Sequence, residues 1–128
     1  MAKAKKKTQA MESRQFAVDC ARLADENKAE DVVVLDLRGR STICDYFLIC
    51  TGTSDRQMRT VADYIDEHAE KLNQTRYNLS GYDHSNWILI DYVDVVIHVF
   101  SEDSRKYYDL ELLWGDAPRL EWQAQRGR

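Results

Sequence analysis

The residues best suited to chemistry in this 128-residue chain are a glycine among hydroxyl side chains and two later carboxylates. The stretch Thr51-Gly52-Thr53-Ser54 lies between an apolar run and a helical pattern, and a glycine turn at a helix N-terminus favours phosphate. Asp91 and Asp94 could hold a metal ion that carries a nucleotide. Ser54, Asp91 and Asp94 would then make a metal-dependent nucleotidyltransferase.

The spacing of these residues argues against such a site. The turn lacks the glycine spacing and lysine of a P-loop, and also the three glycines of a dinucleotide fingerprint. Ser54-x-x-Gln57 instead predicts a capping box, in which Ser54 accepts the Gln57 N–H and Gln57 reaches back to Ser54, while Gly52 relaxes the backbone. Asp91 and Asp94 are not on alternate residues of a strand, so they are better explained as the makers of a turn. We therefore expect no enzyme activity, with the nucleotidyltransferase as the alternative.

Histidines and cysteines offer little more. His98 lies inside an apolar run, where a lone histidine is expected to be a buried, hydrogen-bonded structural residue. The cysteines are odd in number and fit no zinc or redox spacing, which predicts reduced core thiols in a cytosolic protein: Cys20, Cys44 and Cys50. We expect no metal and no cofactor.

Composition predicts one soluble domain. The chain is 44% hydrophobic and 31% charged, and no apolar stretch approaches the roughly 18 residues that span a bilayer. No apolar segment follows the lysine-rich start, so it is not a secretory signal. These features predict a cytoplasmic protein with no membrane partner.

The charge is unevenly distributed. Four lysines in residues 3–7 contribute +4 to a net charge of −4, so the rest of the chain carries −8. Residues 81–118 alone hold eight acids and two bases. Such a surface repels phosphate backbones and suits a basic protein partner, although acidity can also serve solubility alone.

Hydrophobic periodicity predicts an α/β (α+β) two-layer domain, a mixed sheet of about five strands flanked by helices. A basic, disordered tail is expected over residues 1–10, the domain over 11–118 and a second tail over 119–128. The expected helices and strands are helix 11–28, strands 32–37 and 45–51, helix 54–72, a weak edge strand 76–81, two strands within 87–100 split at 91–94, and helix 105–114.

Aromatic and acidic residues crowd together near the end of the domain. Trp87, Tyr92, Tyr107, Tyr108 and Trp114 lie among several acids, a mixture typical of an interface with a basic protein. Some of these aromatics are expected in the core, because Tyr107 and Trp114 fall on one helical stripe with a leucine. Tyr108 and Trp87 are expected to be exposed.

Three stretches resemble one family. DYFLICTGTSDRQ (45–57), the run 87–100 and YYDLExxWGDAP (107–118) resemble the signature of the ribosomal silencing factor family, also called RsfS or Iojap. The likeness covers about residues 13–118. The pair Tyr92-Val93 departs from it, because many members carry a glycine in that turn.

The resemblance implies a fold similar to nucleotidyltransferases without known catalysis. It implies binding to the large ribosomal subunit through the L-fourteen ribosomal protein, which blocks joining of the small subunit and represses translation. It also implies a possible part in large-subunit biogenesis and a homodimer when the protein is free. The lysine-rich tail could add weak contact with rRNA.

The resemblance also predicts where the partner binds. Trp87 matches a tryptophan in the family's contact surface. Proximity to Trp87 and to the last helix adds five further candidates for partner binding: Leu89, Tyr92, Glu102, Arg105 and Tyr108.

Overall fold

A computed structural model of the chain describes residues 2–84 and 86–123, with side chains from residue 12 onward. Its elements are α1 (Ala2–Glu26), β1 (Glu30–Asp36), β2 (Tyr46–Thr51), α2 (Asp55–Lys71), β3 (Asn78–Ser80), β4 (Trp87–Asp91), β5 (Val95–Phe100), α3 (Glu102–Tyr108) and α4 (Leu110–Leu113). Among the described residues, none of the helices combines the length and the apolar character that crossing a bilayer requires.

The strands form one five-stranded sheet in the order β1-β2-β5-β4-β3. The pairing of β2 with β5 is parallel and the other three pairings are antiparallel. The mixed sheet and the α+β class are therefore confirmed. So are the edge position of β3 and the hairpin that joins β4 to β5.

The two faces of the sheet are covered differently. Helices α1 and α2 pack on the first face, where Phe16, Met58 and Ile65 join Leu48 and Ile97 in the larger core. The second face carries a smaller core. Leu110 and Trp114, and Leu37 and Cys44 of the segment between β1 and β2, pack into it. Phe47, Trp87 and Leu89 on this face stay partly exposed.

The β4–β5 turn uses a backbone that favours glycine. Val93 has φ 75°, in the left-handed region, and its N–H donates to Asp91 Oδ1 at 2.7 Å. Asp91 therefore makes the turn, as expected. Asp94 does not, because its carboxylate accepts from Ser13 Oγ of α1 at 3.3 Å.

The chain ends of the domain differ from the expected boundaries. Helix α1 begins at Ala2, before residue 11 where the apolar stripe starts, and alanine and lysine both favour helix. The side chains of the lysine-rich tail lie outside the described residues, and so does its expected contact with rRNA. At the other end, Trp122 is buried and its indole N–H donates to the Val32 carbonyl oxygen at 3.1 Å. The folded unit thus continues past Pro118.

The prediction of one last helix over residues 105–114 is wrong, because the structure has two short helices there. Asp109 adopts φ 45° and ψ 56°, a left-handed conformation that short polar side chains tolerate, and it separates α3 from α4. The break removes the helical stripe expected to join Tyr107 to Trp114. Tyr107 is consequently 81% exposed rather than in the core.

Ending the chain after Pro118 should destabilise the domain. The change removes the buried Trp122 ring and its hydrogen bond to β1, so we expect a loss of about 3–5 kcal/mol in the free energy of unfolding, measured by urea denaturation. A matched chain ending after Gln123 keeps both contacts and should unfold like the full chain. Equal stability of the two truncated chains would show that Trp122 does not belong to the core.

Candidate functional site

The glycine corner is held by hydrogen bonds of the protein itself. Ser54 Oγ accepts the Gln57 N–H at 3.1 Å, which confirms the N-cap of α2. The return bond differs from the expected one, because Gln57 Oε1 accepts from the Thr53 N–H at 2.6 Å rather than from Ser54. Gln57 Nε2 also donates to the Asn27 carbonyl oxygen at 3.0 Å, which ties the corner to the end of α1.

Gly52 is required by close packing. A Cβ at this position would collide with Met58 Cγ, a buried side chain of α2. The expectation that Gly52 only relaxes the backbone was therefore incomplete. Beside the corner lies a cleft of about 300 Å³ whose charged lining residues are all acidic: Glu30, Asp55, Glu102 and Asp103. An anionic phosphate would be repelled there.

The residues of the alternative nucleotidyltransferase site do not come together. Ser54 follows the end of β2, where Thr51 lies beside Phe100. Asp94 precedes the other end of the same strand pair, where Tyr46 lies beside Val95. Five residue steps along the strands separate these ends by roughly 17 Å. The carboxylates therefore cannot hold a metal ion at the glycine corner.

The cysteines are free, buried thiols, as expected. Burial is the main cause that raises the pKa of Cys44 to about 11 and of Cys50 to about 12, and it also raises the pKa of Cys20. Such thiols are not ionised near neutral pH and make poor nucleophiles. No group of three or more His, Cys, Asp or Glu side chains within the described chain is arranged to hold a metal ion.

A row of aromatic rings crosses the second face of the sheet. The Tyr108 ring lies 4.5 Å from that of Trp87, which lies 5.8 Å from the His98 imidazole. Phe47 continues the row at 4.5 Å from His98, and Trp114 follows at 6.2 Å from Phe47. We call the four of these residues that reach solvent, Tyr108, Trp87, Phe47 and Trp114, together with Leu89, the aromatic surface.

Within the aromatic surface, exposure varies from one residue to the next. Tyr108 is 48% exposed, and the side chains of Trp87, Leu89, Phe47 and Trp114 are half-buried. Apolar side chains also extend into solvent from α4, where Leu112 is 76% and Leu113 is 72% exposed. Exposed acids lie on and after α3: Glu102 and Asp103 at its start, near the glycine corner, and Asp109 next to Tyr108. Partly exposed rings and leucines of this kind are typical of the apolar centre of a protein-binding surface.

His98 lies beneath the aromatic surface. It is 3% exposed, and its Nδ1 accepts the indole N–H of Trp87 at 3.0 Å. Burial lowers the pKa of His98 to about 3, so the ring is neutral at physiological pH. The expectation of a buried, hydrogen-bonded structural histidine is confirmed.

Three of the six predicted partner-binding residues lie together and three lie elsewhere. Trp87, Leu89 and Tyr108 belong to the aromatic surface. Glu102 is exposed at the start of α3, where its carboxylate lies 3.4 Å from Lys106 Nζ, close to the glycine corner.

Tyr92 does not belong to the aromatic surface. Its ring is buried among the residues under α1 and α2, with an edge contact to Phe16 at 5.1 Å. Its hydroxyl donates to Asp66 Oδ1 at 2.7 Å. Tyr92 lies on the opposite face from Trp87 and Leu89 because it alternates along the strand with Ile88 and Ile90, whose core it shares.

Arg105 is occupied by contacts within the domain. Its Nε and Nη2 bind the two carboxylate oxygens of Glu111 at 3.0 and 3.2 Å. Its Nη1 donates to the Asp31 carbonyl oxygen at 2.6 Å and to Thr51 Oγ1 at 2.9 Å. Arg105 therefore joins α3 and α4 to β1 and β2, and little of it is left to meet a partner.

Sequence reasoning missed Phe47 as a member of the aromatic surface and expected Trp114 in the core stripe. A signal for Phe47 was present, because residues alternate along a strand and Phe47 must face away from Tyr46 and Leu48. Trp114 could not be placed, since its position follows from the break at Asp109.

The domain is a mixed α+β fold with a partly exposed aromatic face. Residues 10–128 match the model of the family described as "Ribosomal silencing factor during starvation". The chain belongs to this family of ribosomal silencing factors.

Individual relatives agree with this membership. The chain is 46% identical over 98 residues to the ribosomal silencing factor RsfS of Bacillus subtilis, covering 77% of this chain and 83% of that protein. It is 36% identical over 107 residues to the chloroplastic protein Iojap of Zea mays, covering 83% of this chain and 46% of that one. A crystal structure from Bacillus halodurans has a TM-score of 0.72 at 41% identity, covering 87% and 98% of the two chains.

Gly52→Ala should destabilise the domain by about 1–3 kcal/mol, because the new methyl group overpacks the contact with Met58. Urea denaturation measures the loss. In a Met58→Ala background the same change should cost much less, since the colliding group is gone. Additive losses in the double variant would place the strain elsewhere.

His98 should make the stability of the domain sensitive to acid. The unfolded histidine takes up a proton near pH 6.5 and the folded one only near pH 3. The free energy of unfolding should therefore be unaffected by His98 above pH 6.5 and fall by up to about 1.4 kcal/mol per pH unit below it.

The measurement is urea denaturation at pH 7, 6 and 5 for the wild type and for His98→Leu. Carboxylates titrate in both proteins, so the difference between the two slopes isolates His98. Parallel pH profiles would mean that His98 is readily protonated in the folded domain.

Proposed function

We propose that the protein binds the large ribosomal subunit through the aromatic surface and thereby keeps the small subunit from joining, which represses translation. The observation that carries the proposal is the set of partly exposed rings on one face of the sheet in a member of the silencing-factor family. Tyr108 and Trp87 lie on one side of the buried His98, and Phe47 and Trp114 lie on the other. Large aromatics that are partly exposed together are the usual anchors of a protein interface.

The partner within the subunit is proposed to be the L-fourteen ribosomal protein. Ribosomal proteins are generally basic, and the exposed acids on and after α3 would complement such a partner. Glu102, Asp103 and Asp109 then raise the rate of encounter and orient the partner. The apolar centre supplies most of the binding energy.

The proposed mechanism is steric. An interface of ordinary size, about 1,200–2,000 Å², is sufficient when it covers a position that the small subunit must occupy. No bond needs to form or break. The proposal therefore requires no catalytic residue, metal or cofactor, and it agrees with the separation of Ser54 from Asp94 across the sheet.

The double variant Trp87→Ala, Tyr108→Ala should lose most of its affinity for large subunits. Removal of two anchors whose rings are in contact is expected to cost at least about 2 kcal/mol, or roughly 30-fold in affinity. Sucrose-gradient sedimentation with purified subunits measures both the bound fraction and the amount of joined ribosomes, which should rise towards the level without the protein.

Tyr64→Ala is the matched control. Tyr64 has the same 48% exposure as Tyr108 but lies on α2, against the other face of the sheet. This variant should bind and silence like the wild type. If the double variant silences as well as Tyr64→Ala does, the aromatic surface is not the binding site.

A further inference from the structure

The indole N–H of Trp87 needs a hydrogen-bond acceptor on the second face of the sheet. Its indole N–H is a donor only, and the neighbouring rings of Tyr108, Phe100 and His98 surround it at centroid distances of 4.5, 4.9 and 5.8 Å. Among these, the His98 Nδ1 accepts the indole proton. The hydrogen bond fixes the direction of the indole ring while leaving the side chain half-exposed.

We propose that His98 is a positioning residue for the partner interface: its Nδ1 holds the Trp87 indole in the orientation that the partner packs against. This inference rests on the proposed function. Holding the ring in the free protein removes a cost of ordering it on binding, and such preorganisation raises affinity.

His98 is itself held firmly enough for this role. It lies in β5, the central strand, between Leu89 on β4 and Ile49 on β2. The Phe47 ring meets the imidazole edge to face at 4.5 Å, and Phe100 stacks on it at 5.9 Å. A residue fixed on all these sides transmits its position to the indole.

The polar character of His98 has no other use in the described structure. Because Nδ1 accepts from Trp87, the proton of the neutral ring is on Nε2, and Nε2 is buried without a hydrogen-bond partner among the described residues. An unsatisfied buried donor costs about 1–3 kcal/mol. A leucine would fill the position without that cost, but it could not hold the indole N–H.

The test compares two variants of similar shape. His98→Leu removes the acceptor, whereas His98→Asn offers an amide oxygen near the place of Nδ1. We expect His98→Leu to weaken binding to large subunits about tenfold and His98→Asn to recover most of that loss. Urea denaturation of both variants, and their NMR spectra, confirm that the proteins used are folded.

A second readout follows the indole itself. The chain has three tryptophans, and the indole N–H resonance of Trp87 is the one that disappears in Trp87→Phe. In His98→Leu this resonance should shift upfield and exchange faster with solvent. If His98 only supported the core, the Trp87 indole N–H resonance would stay unchanged in His98→Leu.

Trp87→Phe also separates positioning from general support. In that background, which has no indole N–H, His98→Leu should change affinity by about twofold or less. An equal loss in both backgrounds would overturn the proposal, as would an unmoved indole resonance or unchanged affinity in His98→Leu. If Trp87→Ala itself binds like the wild type, the proposed interface fails first. Should His98→Leu not fold, Trp87→Phe alone must reproduce the tenfold loss or the proposal is wrong.

Discussion

The parallel pairing of β2 with β5 is the constraint on which the rest of the domain depends. Parallel strands cannot be joined by a tight turn, so the chain between them must cross over, and it does so through α2, β3 and β4. That crossover places α2 on one face and returns β4 antiparallel to the outer side of β5. The pairing also brings Phe47 of β2 next to the strand that carries His98 and Phe100. Without it, the aromatic surface would not assemble.

Local sequence patterns were sufficient to predict most of the fold and the exposed position of Tyr108. The stripe of α2, the serine cap at Ser54 and the β4–β5 hairpin are properties of short stretches, so the sequence predicts them. The left-handed Asp109 and the engagement of Arg105 are not local. Each depends on how distant elements meet, which a single sequence does not specify.

The surface near α3 and α4 exposes apolar side chains, while a charged side chain there is used inside the domain. Arg105 binds Glu111 and the Asp31 carbonyl oxygen and so joins α3 and α4 to β1. Tyr108, Leu112 and Leu113 are exposed to solvent. A surface of this kind has little with which to polarise or cleave a substrate. Its partly exposed apolar area is of the kind with which one protein binds another.

The buried thiols have a practical consequence. The core encloses all three cysteines, and burial makes their thiols hard to ionise. Maleimide reagents should therefore not react with Cys20, Cys44 or Cys50 in the native state. A single cysteine introduced on the exposed face of α2 would then be the one reactive position. The protein can thus carry a fluorophore at a chosen site, remote from the aromatic surface, without prior removal of its own cysteines.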